Sequence, residues 1–275
     1  GCGKSTVGRI LIGLMRPTSG RVRFLGRDIF DMDDGEELRR MRKDMQIIFQ
    51  DPYASLNPRK TIRQILSRPY LIHGLSDREE IEDNILQLLE RTGLTPPHRY
   101  LDRYPHEFSG GQRQRIAIGR ALSLKPKFVV ADEPVSSLDI SLRAQVLNLM
   151  KELGEDFDTT YLFISHDLGV VRSFCDQVLV MYLGKIVESS NVETLFLEAE
   201  HPYTKSLLSA TPIPHPKTRD MDRIVLKGDV PSPIDIPKGC RFNTRCPFAM
   251  PICREEEPKL ERIDKDHQVA CHLVN

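Results

Sequence analysis

Apolar residues in this chain fall into short unbroken runs and longer helical repeats that alternate along much of its length. Residues 4–15, KSTVGRILIGLM, place Ile10, Leu11 and Leu14 on one side of a predicted helix. The PTSG that follows is turn chemistry. RVRFLGRDIF then reads as a strand, a turn at Gly26 and a second short strand, and MQIIFQ (45–50) as a buried strand. Between residues 51 and 124 the character changes. DPYASLNP reads as a loop, and TIRQILSRPYLI, DREEIEDNILQLLERTG and GGQRQRIAIGRALSL all read as helices. FVVA (128–131) is again a buried-strand run. SLRAQVLNLMKELGED carries Leu142, Val146, Leu149, Met150 and Leu153 at helical spacing, and TTYLFIS and QVLVMY are strands, the latter turning at Leu183–Gly184 into KIVES. Strand–helix alternation around a helical block predicts an α/β core with a helical insertion. After about residue 200 the chain becomes Pro-rich, in HPYTKSLLSATPIPHP and GDVPSPIDIPKGC. The expected division is therefore a core at 1–50 and 125–200, a helical subdomain at 51–124, and an appendage at 201–275.

Composition narrows the function classes. Of 275 residues, 40% are hydrophobic, enough for a sizeable core, and 39 basic side chains balance 39 acidic ones. That balance argues against a general nucleic-acid binder, which carries a basic excess. No apolar run approaches the ~20 residues that cross a bilayer. Four of the six cysteines lie in the last 36 residues, so they belong to the appendage.

Three stretches carry chemistry. GCGKST matches the second half of a phosphate-binding loop, G-x-x-x-x-G-K-[ST], whose first glycine would fall before Gly1. In such a loop backbone N–H groups cradle phosphate oxygens, Lys4 reaches the β- and γ-phosphates and the Ser5 hydroxyl ligates Mg²⁺. The alternative is a glycine turn before an ordinary helix. FVVADEP runs a buried strand into Asp132 and Glu133, at the strand end where α/β sheets bind ligands. Asp132 there suits Mg²⁺ and Glu133 suits polarising a water, although solvated acids end many strands. FSGGQRQRIAIGRAL sets Ser109, Gly110 and Gly111 before a helix. That is an anion site by its dipole and bare N–H groups, or simply a helix capped by Ser109.

Gln50 after a strand, FSGGQ at 108–112, VVADEP at 129–134, SSLD at 136–139 and ISHD at 164–167 occur in this order. The ordered set resembles the nucleotide-binding subunit of an ATP-binding cassette (ABC) transporter, with Phe108 where Leu is commoner. The resemblance implies a P-loop ABC ATPase core with a helical subdomain insertion and a Pro/Cys-rich C-terminal appendage. It implies ATP and Mg²⁺, with Gly1, Cys2, Gly3, Lys4, Ser5 and Thr6 binding nucleotide and Ser5, Gln50 and Asp132 serving Mg²⁺. Glu133, His166 and Gln50 become the catalytic set. Ser109, Gly110, Gly111 and Gln112 would close over ATP held by a second, homologous or identical ATPase subunit, and Asp139 would cross between subunits. It also implies that the strand carrying the loop precedes Gly1, so the fragment by itself is expected to be inactive and poorly folded.

FQDPYASLNPRKTI, HPYTKSLLSATP and the tail CRFNTRCPFAMPIC…ACH further resemble ATPases of dipeptide/oligopeptide importers. This implies docking on two permease subunits at the cytoplasmic face of a plasma membrane, with a solute-binding protein delivering cargo and no nucleic-acid partner. Dipeptides, oligopeptides and nickel complexes all stay open as cargo. Two other readings remain. One is an ABC ATPase acting on ribosomes or DNA, and the other is a regulatory module that binds ATP without hydrolysing it. The presence of Glu133 and His166 argues against the module. Cys240, Cys246, Cys253 and Cys271 follow a C-x5-C-x6-C-x17-C spacing without the close pairs of structural zinc sites. A cytosolic setting disfavours disulfides. Four thiolates suit an iron–sulfur cluster, and the family tail is associated with a [4Fe–4S] cluster. Zn²⁺ and unligated thiols stay as alternatives. Cys2 and Cys175 read as ordinary small residues.

Overall fold

The structure is a computed structural model and describes residues 2–32, 35–75, 77–210, 224–226, 228–232 and 234–274. It divides into two compact units, a central one (Ser5–Ser165) and a carboxy-terminal one (His166–Asn275, together with Gly1–Lys4).

In the central unit, α1 (Lys4–Leu11) leads to a hairpin of β1 (Arg23–Phe24) and β2 (Arg27–Asp28). The hairpin turns through Leu25 and Gly26, both at positive φ, as a tight two-residue turn demands. The 4–15 pattern overran the helix, because Gly13 turns left-handed at φ 71°. Ile12 consequently points into the core at 7% exposure while Leu14 stays exposed. After α2 (Glu36–Asp44), the strands β3 (Met45–Ile48), β4 (Phe128–Asp132) and β5 (Thr160–Ile164) form a parallel sheet in that order. Val129, Val130 and Ala131 of the middle strand are fully buried, which explains its unbroken apolar run.

The chain between β3 and β4 builds a helical block with a core of its own, including Leu56, Ile62, Leu66, Ile85, Leu89 and Ile116. DPYASLNP contains a short helix, α3 (Pro52–Ser55), started by Asp51, whose side chain accepts the Tyr53 N–H at 2.8 Å. Then come α4 (Ile62–His73), α5 (Arg78–Arg91) and α6 (Gly110–Leu122). Thr61 and Gln64 close a capping box on α4, and Gly74 ends it in the left-handed conformation. β4 is followed by α7 (Ile140–Phe157), which leads into β5.

The carboxy-terminal unit holds α8 (Leu168–Phe174), β6 (Gln177–Tyr182), β7 (Lys185–Asn191), α9 (Val192–Glu198), α10 (Pro202–Ala210), β8 (Glu261–Asp264) and β9 (His267–Val269). Its antiparallel sheet runs β6-β7-β9-β8. Glu188 faces Val269 and Ser189 faces Gln268, so strands from either side of residue 200 share one sheet. Glu188 is fully buried. Its carboxylate accepts the N–H groups of Glu200 (2.7 Å) and His201 (3.1 Å) and lies 2.8 Å from His267 Nε2. Beside it, Phe242 packs against the rings of Tyr182, Tyr203 and His201.

Candidate active site

The carboxylates at the end of β4 are where the central unit gathers its polar chemistry. Asp132 is buried, and its Oδ1 accepts the Ser5 hydroxyl at 3.0 Å. The approach depends on Gly8. A Cβ there would stand 2.8 Å from Val130 Cγ1 and 3.1 Å from Ile164 Cδ1, so a glycine lets α1 lie against β4 and β5 with its first turn at Asp132. Glu133 leaves the strand at φ 48°, its N–H held by the Ile164 carbonyl at 2.9 Å. A glutamate in the left-handed region is uncommon and is held there by its surroundings. The Glu133 carboxylate accepts from Gln50 Nε2 at 3.0 Å, across 83 residues of sequence. Ser5 at the start of α1 and Gln50 after β3 thus pair with Asp132 and Glu133 at the end of β4.

The remaining motif residues of this unit sit at helix starts. Ser109 caps α6, accepting the Gln112 N–H, while the Gln112 side chain accepts the Ser109 N–H at 3.0 Å. Capping and anion binding therefore use the same few residues, and the exposed Ser109 serves the first of them here. Gly111 lies so close to α7 that a Cβ would meet Leu142 Cδ2 at 2.0 Å. Asp139 caps α7 through the Leu142 N–H at 2.9 Å. That bond, and the Ser141 hydroxyl, hold the exposed Asp139 carboxyl below the usual carboxylate range. Thr6 is exposed on the first turn of α1.

In the carboxy-terminal unit, Cys2 is tied by its carbonyl to the Gly184 N–H at 2.9 Å, and Lys4 Nζ lies 3.5 Å from Cys2 Sγ. Gly3 adopts φ 98°, a conformation side chains disfavour. His166 is exposed and precedes Asp167, which caps α8. Gly1 lies outside the described residues.

The four tail cysteines share one neighbourhood of this unit. Burial pushes the Cys240 thiol up to about 11, and nearby Cys253, Cys271 and Cys246 push the same way. Burial likewise raises Cys246 and Cys271. Among the described residues no three His, Cys, Asp or Glu side chains converge as one metal ion requires. Burial raises Cys175 to about 11, the behaviour of an unreactive buried thiol.

Two groups of residues escaped the sequence reading. Arg113 and Arg120 stand seven apart on α6, and both clamp α3; two charges two turns apart on one side of a helix are the signal. Glu188, His201 and His267 join the two ends of the carboxy-terminal unit, and no local pattern marks them.

A serine in the first turn of α1 on a strand-end aspartate, beside a glutamate held by a loop glutamine, is the arrangement of a P-loop core. Residues 1–136 match the model of the ABC transporter family, and residues 187–253 match that of the oligopeptide/dipeptide transporter C-terminal region. The chain is 52% identical to the oligopeptide transport ATP-binding protein AppF of Bacillus subtilis (strain 168), over 100% of this chain and 83% of that protein. It is 51% identical to the dipeptide transport ATP-binding protein DppF of Haemophilus influenzae, with the same coverage of each. Among solved structures it resembles the ATP-binding cassette MJ0796 in a dimeric post-hydrolysis state bound to ADP and Pi. The TM-score is 0.62 and identity 30%, over 70% of this chain and 81% of that one. It also resembles cbiO1 of Clostridium perfringens, at TM-score 0.62 and 29% identity, over 72% of this chain and 76% of that one. The chain belongs to the ABC transporter ATP-binding subunits of the oligopeptide/dipeptide transporter family, whose activity is ATP hydrolysis coupled to transport.

Proposed function

We propose that this chain hydrolyses ATP to power import of di- or oligopeptides through a membrane ABC transporter. The observation that carries the reading is the double pairing of Ser5 with Asp132 and Gln50 with Glu133 in a member of this family. The P-loop residues Gly1, Cys2, Gly3, Lys4, Ser5 and Thr6 hold the phosphates. Ser5, Asp132 and Gln50 supply oxygen donors for Mg²⁺, and the Ser5 hydroxyl already stands beside the Asp132 carboxylate, as a hard cation needs. Bound there, Mg²⁺ neutralises charge on the phosphate oxygens. Glu133 takes up the proton of the attacking water, Gln50 orients the Glu133 carboxylate, and His166 contacts the γ-phosphate. Ser109, Gly110, Gly111 and Gln112 close over ATP held by a second ATPase subunit, and Asp139 lies at that dimer interface.

Peptide cargo rests on the matched C-terminal region and on the names of the relatives. Among the described residues no helix is long and apolar enough to cross a membrane, so the chain works as a peripheral subunit beside two permease subunits. Its place is the cytoplasmic face, and a solute-binding protein delivers cargo from the other side. Full-length protein reconstituted with its permeases in proteoliposomes should take up labelled peptide only with ATP. Hydrolysis without uptake, or co-purification with ribosomes, would favour the other reading of the fold.

The tail is read as an iron–sulfur module held by Cys240, Cys246, Cys253 and Cys271. Support comes from the all-thiol donor set and from a cysteine spacing without the close pairs of structural zinc sites. Zinc fits less well, because its structural sites favour close cysteine pairs, which the C-x5-C-x6-C-x17-C spacing lacks. Bound, the cluster staples a segment with little core of its own. Anaerobic full-length protein should be brown and contain iron, and a colourless, iron-free preparation would contradict this.

A further inference from the structure

The helix that begins with the signature residues carries buried charge where an amphipathic helix carries leucine. Arg113 follows Gln112 directly and is only 5% exposed. Its guanidinium lies over the Tyr53 ring, 3.4 Å from the centroid, and it donates to the Tyr53 hydroxyl and, at 3.2 Å, to the Pro105 carbonyl. Its Nε has no partner. Two turns on, Arg120 donates to the Ser55 carbonyl, and burial lowers its pKa. A leucine at either position would avoid the cost of desolvating a guanidinium. What the arginines add is direction.

Both arginines grip α3, which is only four residues long and has no stability as an isolated helix. Arg113 holds its Tyr53 and Arg120 its last residue, Ser55. At its front α3 is joined to Gln50 through one residue, the capping Asp51. A continuous chain of contacts therefore runs from Glu133 to Gln50, through α3, to the guanidinium beside Gln112. Every member belongs to the central unit.

We propose that Tyr53 and Arg113 are positioning residues that fix the signature end of α6 relative to Gln50. Neither residue contacts the reacting atoms. The inference rests on the ATPase reading above.

Tyr53 permits a test that spares the fold, because its residue is 62% exposed. In the full-length protein assembled with its permeases, Tyr53→Ala should lower kcat about 10-fold while leaving KM for ATP within about 2-fold, the mark of a lost closing step rather than lost binding. Tyr53→Phe keeps the ring under Arg113 and should recover most of kcat. Arg113→Met should cost no more when added to Tyr53→Ala than the single change does, because the two act as one unit. Glu133→Gln in the same assembly is the control for the reading itself. If it silences turnover while Tyr53→Ala keeps wild-type kcat, the clamp is wrong and the ATPase reading stands. If wild type shows no turnover that depends on Glu133, the reading fails first. A Tyr53→Phe protein as impaired as Tyr53→Ala would also overturn the clamp.

Discussion

The strand-end motifs of the central unit and the His201-Pro202-Tyr203 stretch of the carboxy-terminal unit use their residues in opposite ways. In the central unit the motif side chains sit at the ends of elements: Gln50 after β3, Asp132 and Glu133 at the end of β4, Ser109 and Asp139 as caps of α6 and α7. The core beneath them, Val129, Val130, Ala131, Ile116 and Leu122, is apolar and independent of them. In the carboxy-terminal unit the His201-Pro202-Tyr203 stretch and its partners are inside. His201 is 1% exposed, and Glu188 and Phe242 are as fully enclosed. Its His201-Pro202-Tyr203 stretch is packing: His201 Nδ1 accepts the Tyr203 N–H at 3.0 Å, and both rings lie on Phe242. The strand-end residues of the central unit therefore mark chemistry and the His201-Pro202-Tyr203 stretch marks assembly of a core, and substitutions at the two should separate into activity losses and folding losses accordingly.

The largest folding effect is expected at Glu188. Glu188→Ala leaves two backbone N–H groups and His267 without their shared acceptor in a dry site, at about 3 kcal/mol or more. Hydrogen exchange at β7 and β9 amides should rise steeply, with the sheet of the central unit unaffected. Equal loss in both units would break the contrast.

Acid should act on the same unit. Burial lowers the His201 pKa from 6.5 to about 4, so the folded form keeps it neutral while the unfolded form takes up a proton below pH 6.5. The stability contribution is complete above about pH 6.5 and falls by about 1.4 kcal/mol per pH unit, levelling off near pH 4. His201→Gln should flatten that slope in a pH series of exchange rates. An unchanged slope would place the acid sensitivity elsewhere.

A smaller effect on fold, with a distinct signature, is expected at Gly8. Gly8→Val pushes side-chain atoms into Val130 and Ile164 at a cost of about 1–3 kcal/mol. Because the displaced element carries Ser5 away from Asp132, Mg²⁺-dependent nucleotide binding should weaken more than the melting temperature suggests.

The same contrast explains what was legible. Buried parallel strands announce themselves by unbroken apolar runs, as FVVA does, and caps by residue type, as Ser109 and Asp139 do. The ordered motifs therefore pointed to Ser5, Gln50, Asp132 and Glu133, although only folding shows which hydrogen-bonds to which. α2 went unread because EELRRMRKD offers few apolar residues beyond Leu38 and Met41. α10 was hidden by its Pro-rich surroundings, yet its own Pro202 stands at the helix start, where a missing N–H costs nothing. β8 is exposed at all four positions, so no alternation marks it, and β9 has only three residues. The pairing of β9 with β7 spans about eighty residues, beyond any local pattern.

Hydrolysis at the end of β4 is most directly tested by Glu133→Gln in the full-length protein assembled with its permeases. The amide keeps the shape of the side chain but cannot take a proton from water. ATP should bind as before, and steady-state turnover should fall by about 10²-fold or more. Turnover equal to wild type would contradict the assignment of Glu133 and, with it, the roles given to Gln50 and Asp132 beside it.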